Sequence, residues 1–209
     1  LLGGVPGVPA AKVLVIGGGT AGVNAGRMAT GLGAEVTILE VDLERMRFLD
    51  ISLHSAVHTL YSNEQNLIEE MPSVDLLIGA VLVPGARAPK LIKRAMLREM
   101  RPGSVFVDIA IDQGGCGETS HATTHKDPVF EEEDVIHYCV ANMPGAYART
   151  ATQALTNVTL LYALHLADFG FENALRRIPE LRGGVNTWKG QVTCPGVAEA
   201  HGLPCTELP

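Results

Sequence analysis

The residues Gly17-Gly18-Gly19-Thr20-Ala21-Gly22 fit the spacing GxGxxG. In that spacing the first glycine (Gly17) permits a tight turn and the second (Gly19) lets a backbone approach a pyrophosphate. The third (Gly22) allows a helix to pack close to a strand. A helix opening at Thr20 would aim its unpaired N–H groups and positive dipole end at phosphates. Glu40 stands eighteen positions beyond Gly22, where a carboxylate accepts hydrogen bonds from an adenosine ribose. It would repel a 2′-phosphate, which favours NAD(H) over NADP(H). Asp42 competes for that role, but Glu40 sits at the expected strand end. An FAD site would use the same fingerprint, and a glycine-rich turn that binds no dinucleotide is the plain alternative.

A second group of candidates lies at the ends of later apolar runs, where ligands sit in doubly wound sheets. These ends read Gly79-Ala80-Val81-Leu82, Asp108-Ile109-Ala110-Ile111-Asp112 and Val140-Ala141-Asn142-Met143. They make a small, mostly apolar surface suited to a nicotinamide ring. Asp112 is the ionisable group among them placed just past a strand end, where it could take a proton, orient a water or steady a cation. The alternative is a loop-capping Asp112 bound to the backbone of Gly114 or Gly115. Asp108, inside the strand run, is expected to be structural. Asn142 could bond a carboxamide or a substrate, or simply cap the turn before Met143-Pro144.

Other signals weigh less. His54 with His58, and His121 with His125, share HxxxH spacing but lack the Glu of a metalloprotease helix, so no metal site is expected. Cys116 as a nucleophile would need His121 to raise its thiolate fraction. Arg45 and Arg47 read as a solvated helix face, although Arg45 follows Glu40 closely enough to meet an adenosine phosphate or ribose.

Positioning these groups requires an alternation of strands and helices. The runs 12–17, 35–40, 56–61, 75–79, 104–108 and 135–140 are short, β-branched and bounded by turn residues, as buried parallel strands are. Helices are expected over 20–31, 43–52, 64–70 and 89–99. The fold class is therefore α/β, a Rossmann-type doubly wound parallel sheet with right-handed crossovers. The connection from Asp112 to Asp134 is polar and long, and is read as a functional loop. Residues 149–169 form a helix apolar on most faces, expected to be covered by another lobe or subunit. A weaker helix follows, then a Gly- and Pro-rich tail over 183–209.

Composition narrows the classes further. The 209 residues are 46% hydrophobic with a net charge of −7, which excludes a disordered acidic chain. With 16 Lys+Arg against 23 Asp+Glu, neither a nucleic-acid nor a membrane partner is expected. No run reaches the ~18 apolar residues of a spanning helix. Cysteines at 116, 139, 194 and 205 form no CxxC pair or dense disulfide framework, which suits a reducing, cytoplasmic location. The opening Leu-Leu-Gly-Gly-Val-Pro-Gly is a loop rather than a signal peptide, and an upstream segment is expected.

The segments 2–7, 16–22, 79–85, 108–115 and 138–144 together closely resemble the L-alanine dehydrogenase family, along essentially the whole chain. The NAD-binding subunit of proton-translocating transhydrogenase is the nearest relative in that superfamily. It usually lacks the second aspartate of Asp-Ile-Ala-Ile-Asp-Gln, so Asp112 favours the deaminating enzyme.

That resemblance implies reversible oxidative deamination of L-alanine to pyruvate and ammonia, with NAD as hydride acceptor. It implies cofactor contacts at Gly17, Gly19, Thr20, Ala21 and Gly22, at Glu40 on the ribose, and at Arg45 and Ser62. Val81, Leu82, Ile109, Ala110, Ile111, Asp112, Val140, Ala141, Asn142 and Met143 would surround the nicotinamide and its ribose. Asp112 matches the catalytic aspartate, and His121 stands where an arginine is common. The family's substrate-binding Arg, Lys and His belong to a lobe that would precede Leu1. By resemblance, residues 1–11 lead in, 12–145 form the NAD domain, 146–209 return to the substrate domain, and the assembly is a homohexamer. The other classes are the transhydrogenase subunit and a non-catalytic NAD-binding module.

Overall fold

In β1 (Lys12–Ile16) every residue after the first is buried, with Val13 and Val15 facing one side of a sheet and Leu14 and Ile16 the other. This period-two pattern on a two-sided strand needs apolar cover on both faces, and the computed structural model supplies it. The structure describes residues 1–83 and 85–208. Seven strands form a sheet in the order β3-β2-β1-β4-β5-β7-β6. The others are β2 (Glu35–Glu40), β3 (His58–Tyr61), β4 (Leu76–Gly79), β5 (Val105–Asp108), β6 (Val129–Glu132) and β7 (Val135–Tyr138). All neighbours pair in parallel except β6 with β7. The α/β, doubly wound class expected from the sequence is the class observed.

One face carries α1 (Thr20–Gly31) and α2 (Leu43–Ser52), whose Leu49 joins Val13, Val15, Val36, Ile38 and Ile78 in one core. The other carries α3 (Glu64–Glu70) and α4 (Arg94–Leu97), whose Leu67 and Leu97 join Leu14, Ile16, Leu77, Ile92 and Phe106 in a second core. Chain order reverses between β1 and β4, whose register pairs Ile16 with Gly79. Ile16 also pairs with Leu39, and Gly79 with Asp108, so the carboxyl ends of four strands finish at one level.

Two local expectations need correction. The helix expected over 89–99 is confined to Arg94–Leu97. Ile92 instead bridges in parallel to Gly117, its N–H bound to the Cys116 carbonyl at 3.0 Å, and this pulls the preceding turn straight. The connection read as loop from 112 to 134 contains β6, an antiparallel strand joined to β7 by a two-residue hairpin. Its turn residues, Glu133 and Asp134, have φ of 54° and 59°. Asn-Gly is the usual pair for such a turn, so no turn signal marks it in the sequence. Arg94 (2.7 Å) and Arg98 (2.8 Å) bond the Glu133 carboxylate and hold it down at about 2.

By contacts the chain forms two units, Leu1–Val83 with Arg87–Ala141, and 85–86 with residues from Asn142 onward. In the second unit α5 (Ala148–Phe169) packs on α6 (Phe171–Arg177) and buries none of its own residues within this chain. Leu155, Val158, Leu160 and Leu161 are all exposed. The tail is more ordered than its glycines and prolines suggest, with a hairpin of β8 (Thr187–Trp188) and β9 (Gln191–Val192) and then α7 (Pro195–His201). Trp188 stacks on Phe171 at 4.6 Å. Among the described residues, no helix is long and apolar enough to cross a membrane.

Candidate functional site

The turn from β1 into α1 is fixed by contacts that glycine alone permits. Gly17 (φ 96°) donates to the Leu39 carbonyl at 2.8 Å, and a Cβ there would lie 2.8 Å from the Ala80 carbonyl oxygen. A Cβ on Gly22 would overlap the Gly17 carbonyl oxygen. Gly19 differs, because a Cβ on it would meet nothing within 4 Å. Protein packing does not require this glycine; its missing side chain leaves the backbone open on the outer side. Gly19 caps α1 with no side-chain bond, no acid stands in the first turn, and Thr20 and Ala21 are exposed. A bare helix start of this kind, with its positive dipole end clear, fits a diphosphate.

Glu40 and Arg45 grip the middle glycine from opposite sides. Glu40 Oε2 accepts the Gly18 N–H at 2.7 Å, and its Oε1 accepts the N–H groups of Val41 (2.7 Å) and Asp42 (3.2 Å). Arg45 Nε donates to the Gly18 carbonyl at 2.5 Å, and its guanidinium lies 4.5 Å from the Phe48 ring centre. Each carboxylate oxygen has two acceptor sites, so Oε2 keeps capacity for a ribose hydroxyl. Asp42, the competing acid, is engaged as the cap of α2 through Glu44 N (2.9 Å) and Arg45 N (3.3 Å). Ser62 lies beside this corner, its N–H on the Glu40 carbonyl at 2.9 Å.

Past β5 the chain forms a tight 3-10 turn, Ile109–Gln113, with Asp112 exposed on it. Asp108 organises this turn and the loop beyond it. Fully buried, it accepts from Ala110 N (3.1 Å), Cys116 N (2.8 Å), Gly117 N (3.3 Å) and Ser120 Oγ (2.6 Å). The N–H groups of Gly114 and Gly115, proposed as partners of a capping Asp112, go to the carbonyls of Ile111 (2.9 Å) and Ala110 (3.0 Å). Two side chains that the sequence left unmarked complete the corner. Lys90 Nζ donates to the carbonyls of Gly114 (2.7 Å) and Gly117 (2.8 Å). The Gln113 amide pairs with both backbone groups of Val83, accepting its N–H at 3.3 Å and donating to its carbonyl at 3.0 Å.

Val81 is half-buried and Leu82 is 72% exposed past β4. Val140 is buried and Ala141 exposed past β7, while Asn142 (φ 57°) and Met143 open the second unit. The first unit thus brings the glycine turn, Glu40, Arg45, Ser62, Val81, Leu82 and Ile109–Asp112 to the carboxyl ends of its parallel strands.

The histidines and cysteines beyond β5 make close local contacts. His121 stacks on Phe130 at 3.7 Å, and Phe130 on His137 at 4.7 Å. His137 is fully buried between Thr119 Oγ1 (2.7 Å from Nε2) and the Val135 carbonyl (2.8 Å from Nδ1), and burial lowers its pKa. Burial and the Asp108 carboxylate push the Cys116 thiol far above its ordinary range, the opposite of nucleophile activation. The same causes push Cys139 up to about 11. Among the described residues, no three His, Cys, Asp or Glu side chains converge on a metal-sized space. A cleft of about 380 Å³ in the second unit, lined by Phe171, Arg182 and Trp188, contains none of the candidates.

Known proteins resemble this chain along nearly all of its length. The family model described as alanine dehydrogenase/PNT, C-terminal domain, matches residues 1–195. An alanine dehydrogenase of Halomonas elongata is 55% identical over 207 residues, 99% of this chain and 56% of that protein. One from Methanococcus maripaludis is 53% identical over the same shares of both chains. An L-alanine dehydrogenase structure superposes with a TM-score of 0.86 at 48% identity, over 97% of this chain and 56% of its own. A transhydrogenase from Sinorhizobium meliloti gives 0.69 at 30% identity, over 90% and 51%. This chain spans a little over half the length of the curated relatives it matches. By the match along nearly all of its length, it belongs to the alanine dehydrogenase/PNT C-terminal domain family.

Proposed function

We propose that this chain is the NAD(H)-binding half of an enzyme that oxidatively deaminates L-alanine to pyruvate and ammonia, reversibly. The observation that carries the cofactor reading is the Gly18 corner, where a carboxylate at the end of β2 is bonded into a glycine turn that opens a bare helix start. Its fit to NAD rests on the open side of Gly19, the clear N-terminus of α1 and the spare acceptor capacity of Glu40. The reaction itself is supported by the names of relatives 53–55% identical to this chain.

In this reading the backbone at 19–21 holds the pyrophosphate and Glu40 the adenosine ribose, with Arg45 and Ser62 beside it. Val81, Leu82, Ile109–Asp112, His121, Val140 and Ala141 are assigned to the nicotinamide half. When bound, NAD supplies the hydride acceptor. Asp112, an exposed carboxylate past β5, stabilises the iminium cation left on the substrate and assists the water that attacks it. Residues 12–145 act as the cofactor domain. Residues 146–209 belong with the substrate domain, where α5 would gain its cover. A cytoplasmic homohexamer completes the proposal.

The test is a paired NADH and NADPH fluorescence titration of this chain, followed by an alanine-dependent NADH assay on the protein at the relatives' full length. Binding of NADH well ahead of NADPH, with alanine-dependent turnover, is expected. Equal binding of the two would overturn the Glu40 assignment, and nicotinamide exchange without alanine would favour the transhydrogenase alternative.

A further inference from the structure

Beyond β4 the segment 81–83 leaves the sheet, so its backbone groups have no strand partner. One side chain meets this need at Val83, where the Gln113 amide accepts the N–H and donates to the carbonyl of the same residue. The arrangement reproduces one rung of a β-ladder between a side chain and a backbone. An amide is the neutral group that donates and accepts side by side; a carboxylate cannot donate and an ammonium cannot accept. The opposite amide orientation would set donor against donor, so the partners fix this one.

The two ends of this rung differ in how they are held. Gln113 closes the turn 109–113, and its carbonyl also accepts from Ala88 N at 3.0 Å. That turn is fastened from below by buried Asp108, and the loop beyond it by Lys90. The segment 81–83 leaves the sheet with Val81 packed on the core, and it carries Leu82, an apolar side chain 72% exposed. Asp112 stands directly before Gln113. The rung therefore sets the spacing between an exposed apolar wall and an exposed carboxylate.

We infer that Gln113 is a positioning residue that fixes the segment 81–83 against the Asp112 turn and thereby governs the grip on the nicotinamide half of the dinucleotide alone. This rests on the reading of the site as one for NAD(H). The adenosine end depends on different residues, Gly18, Glu40 and Arg45, whose mutual bonds do not involve Gln113.

The experiment compares NADH with ADP-ribose, which lacks nicotinamide, on this chain and on Gln113→Leu and Gln113→Glu, by fluorescence and calorimetry. Gln113→Leu should weaken NADH binding about tenfold, as the loss of two hydrogen bonds implies, while ADP-ribose stays within about twofold. Gln113→Glu should show the same selective loss near pH 7. It should begin to recover as the pH falls below about 5, toward the ordinary glutamate pKa of about 4.3, because a protonated carboxyl again donates to the Val83 carbonyl. Equal losses for both ligands in a folded variant would reduce Gln113 to general support of the fold and overturn the inference. Unchanged NADH binding would overturn it too. If Gln113→Leu does not fold, the Gln113→Glu pH series decides, recovery supporting the inference and a flat profile rejecting it. If the unaltered chain fails to bind NADH, the cofactor reading itself falls and takes this inference with it.

Discussion

Glu40 reaches back across the β1–α1 turn to accept the Gly18 N–H at 2.7 Å. A carboxylate bonded into the glycine turn cannot swing aside to admit a 2′-phosphate, because doing so would strip three backbone N–H groups of their acceptor. Glu40→Gln keeps the length but removes the charge and turns an NH2 toward those donors. We expect NADH affinity to fall about tenfold, a cost near 1.4 kcal/mol, with the NADH-to-NADPH preference shrinking alongside it. Paired titrations measure both; an unchanged preference would remove Glu40 from cofactor selection.

Two glycines of the same motif should separate folding from binding. Gly22→Ala drives a methyl group into the Gly17 carbonyl and should destabilise the chain by about 3 kcal/mol. Gly19 has φ of −64° and open space beside it, so Gly19→Ala should shift stability by no more than about 0.5 kcal/mol. It should still weaken NADH binding at least roughly tenfold, because the added methyl occupies the pyrophosphate's approach. Thermal melts and NADH titrations of both variants check the pair, and normal NADH affinity in Gly19→Ala would disprove phosphate binding at this turn.

Asp112→Asn should leave NADH affinity within about twofold and lower alanine turnover roughly a hundredfold or more in the protein at its relatives' full length. The turn that carries Asp112 is also held by Asp108 and by backbone bonds at Gly114 and Gly115, and a thermal melt of the variant checks that the fold survives. Steady-state kinetics with saturating NAD decide it. Turnover at the unaltered rate would take Asp112 out of the chemistry.

His137 makes stability depend on pH. Burial lowers its pKa below the ordinary 6.5, so between the two values the unfolded chain binds more protons than the folded one. Stability from this source is therefore full above about pH 6.5 and declines as the pH falls toward the folded-state value. Denaturant melts between about pH 7.5 and 5.5 should show the decline, and His137→Gln should flatten it. A slope that survives in His137→Gln would assign the effect to other groups.

Much of the fold was legible in the residues alone, and the exceptions have physical causes. The helices 20–31, 43–52 and 64–70 carry their own punctuation: a glycine before the first, Asp42 and Asn63 as side-chain caps for the other two. The β6–β7 hairpin escaped because Glu133 and Asp134 adopt positive φ without a glycine, in a turn held by Arg94 and Arg98 from thirty-five or more positions away. The helix over 89–99 reads well by periodicity, yet Ile92 takes a long-range bridge to Gly117 that no local pattern announces. At the site, the glycine spacing and strand ends located the turn, Glu40 and the Asp112 segment. Lys90 and Gln113 were invisible because a side chain bonded to distant backbone leaves no spacing signature.

The antiparallel strand β6 also determines how this sheet meets other molecules. A bare β7 would offer another chain a row of unpaired backbone groups, the usual template for edge-to-edge aggregation. β6 covers that row, is only four residues long, and ends in charged residues, Glu131 and Glu132, the latter paired with Arg94. The opposite border, β3, is only four residues long. Both borders of this sheet are thus short strands, a form that discourages strand pairing between copies.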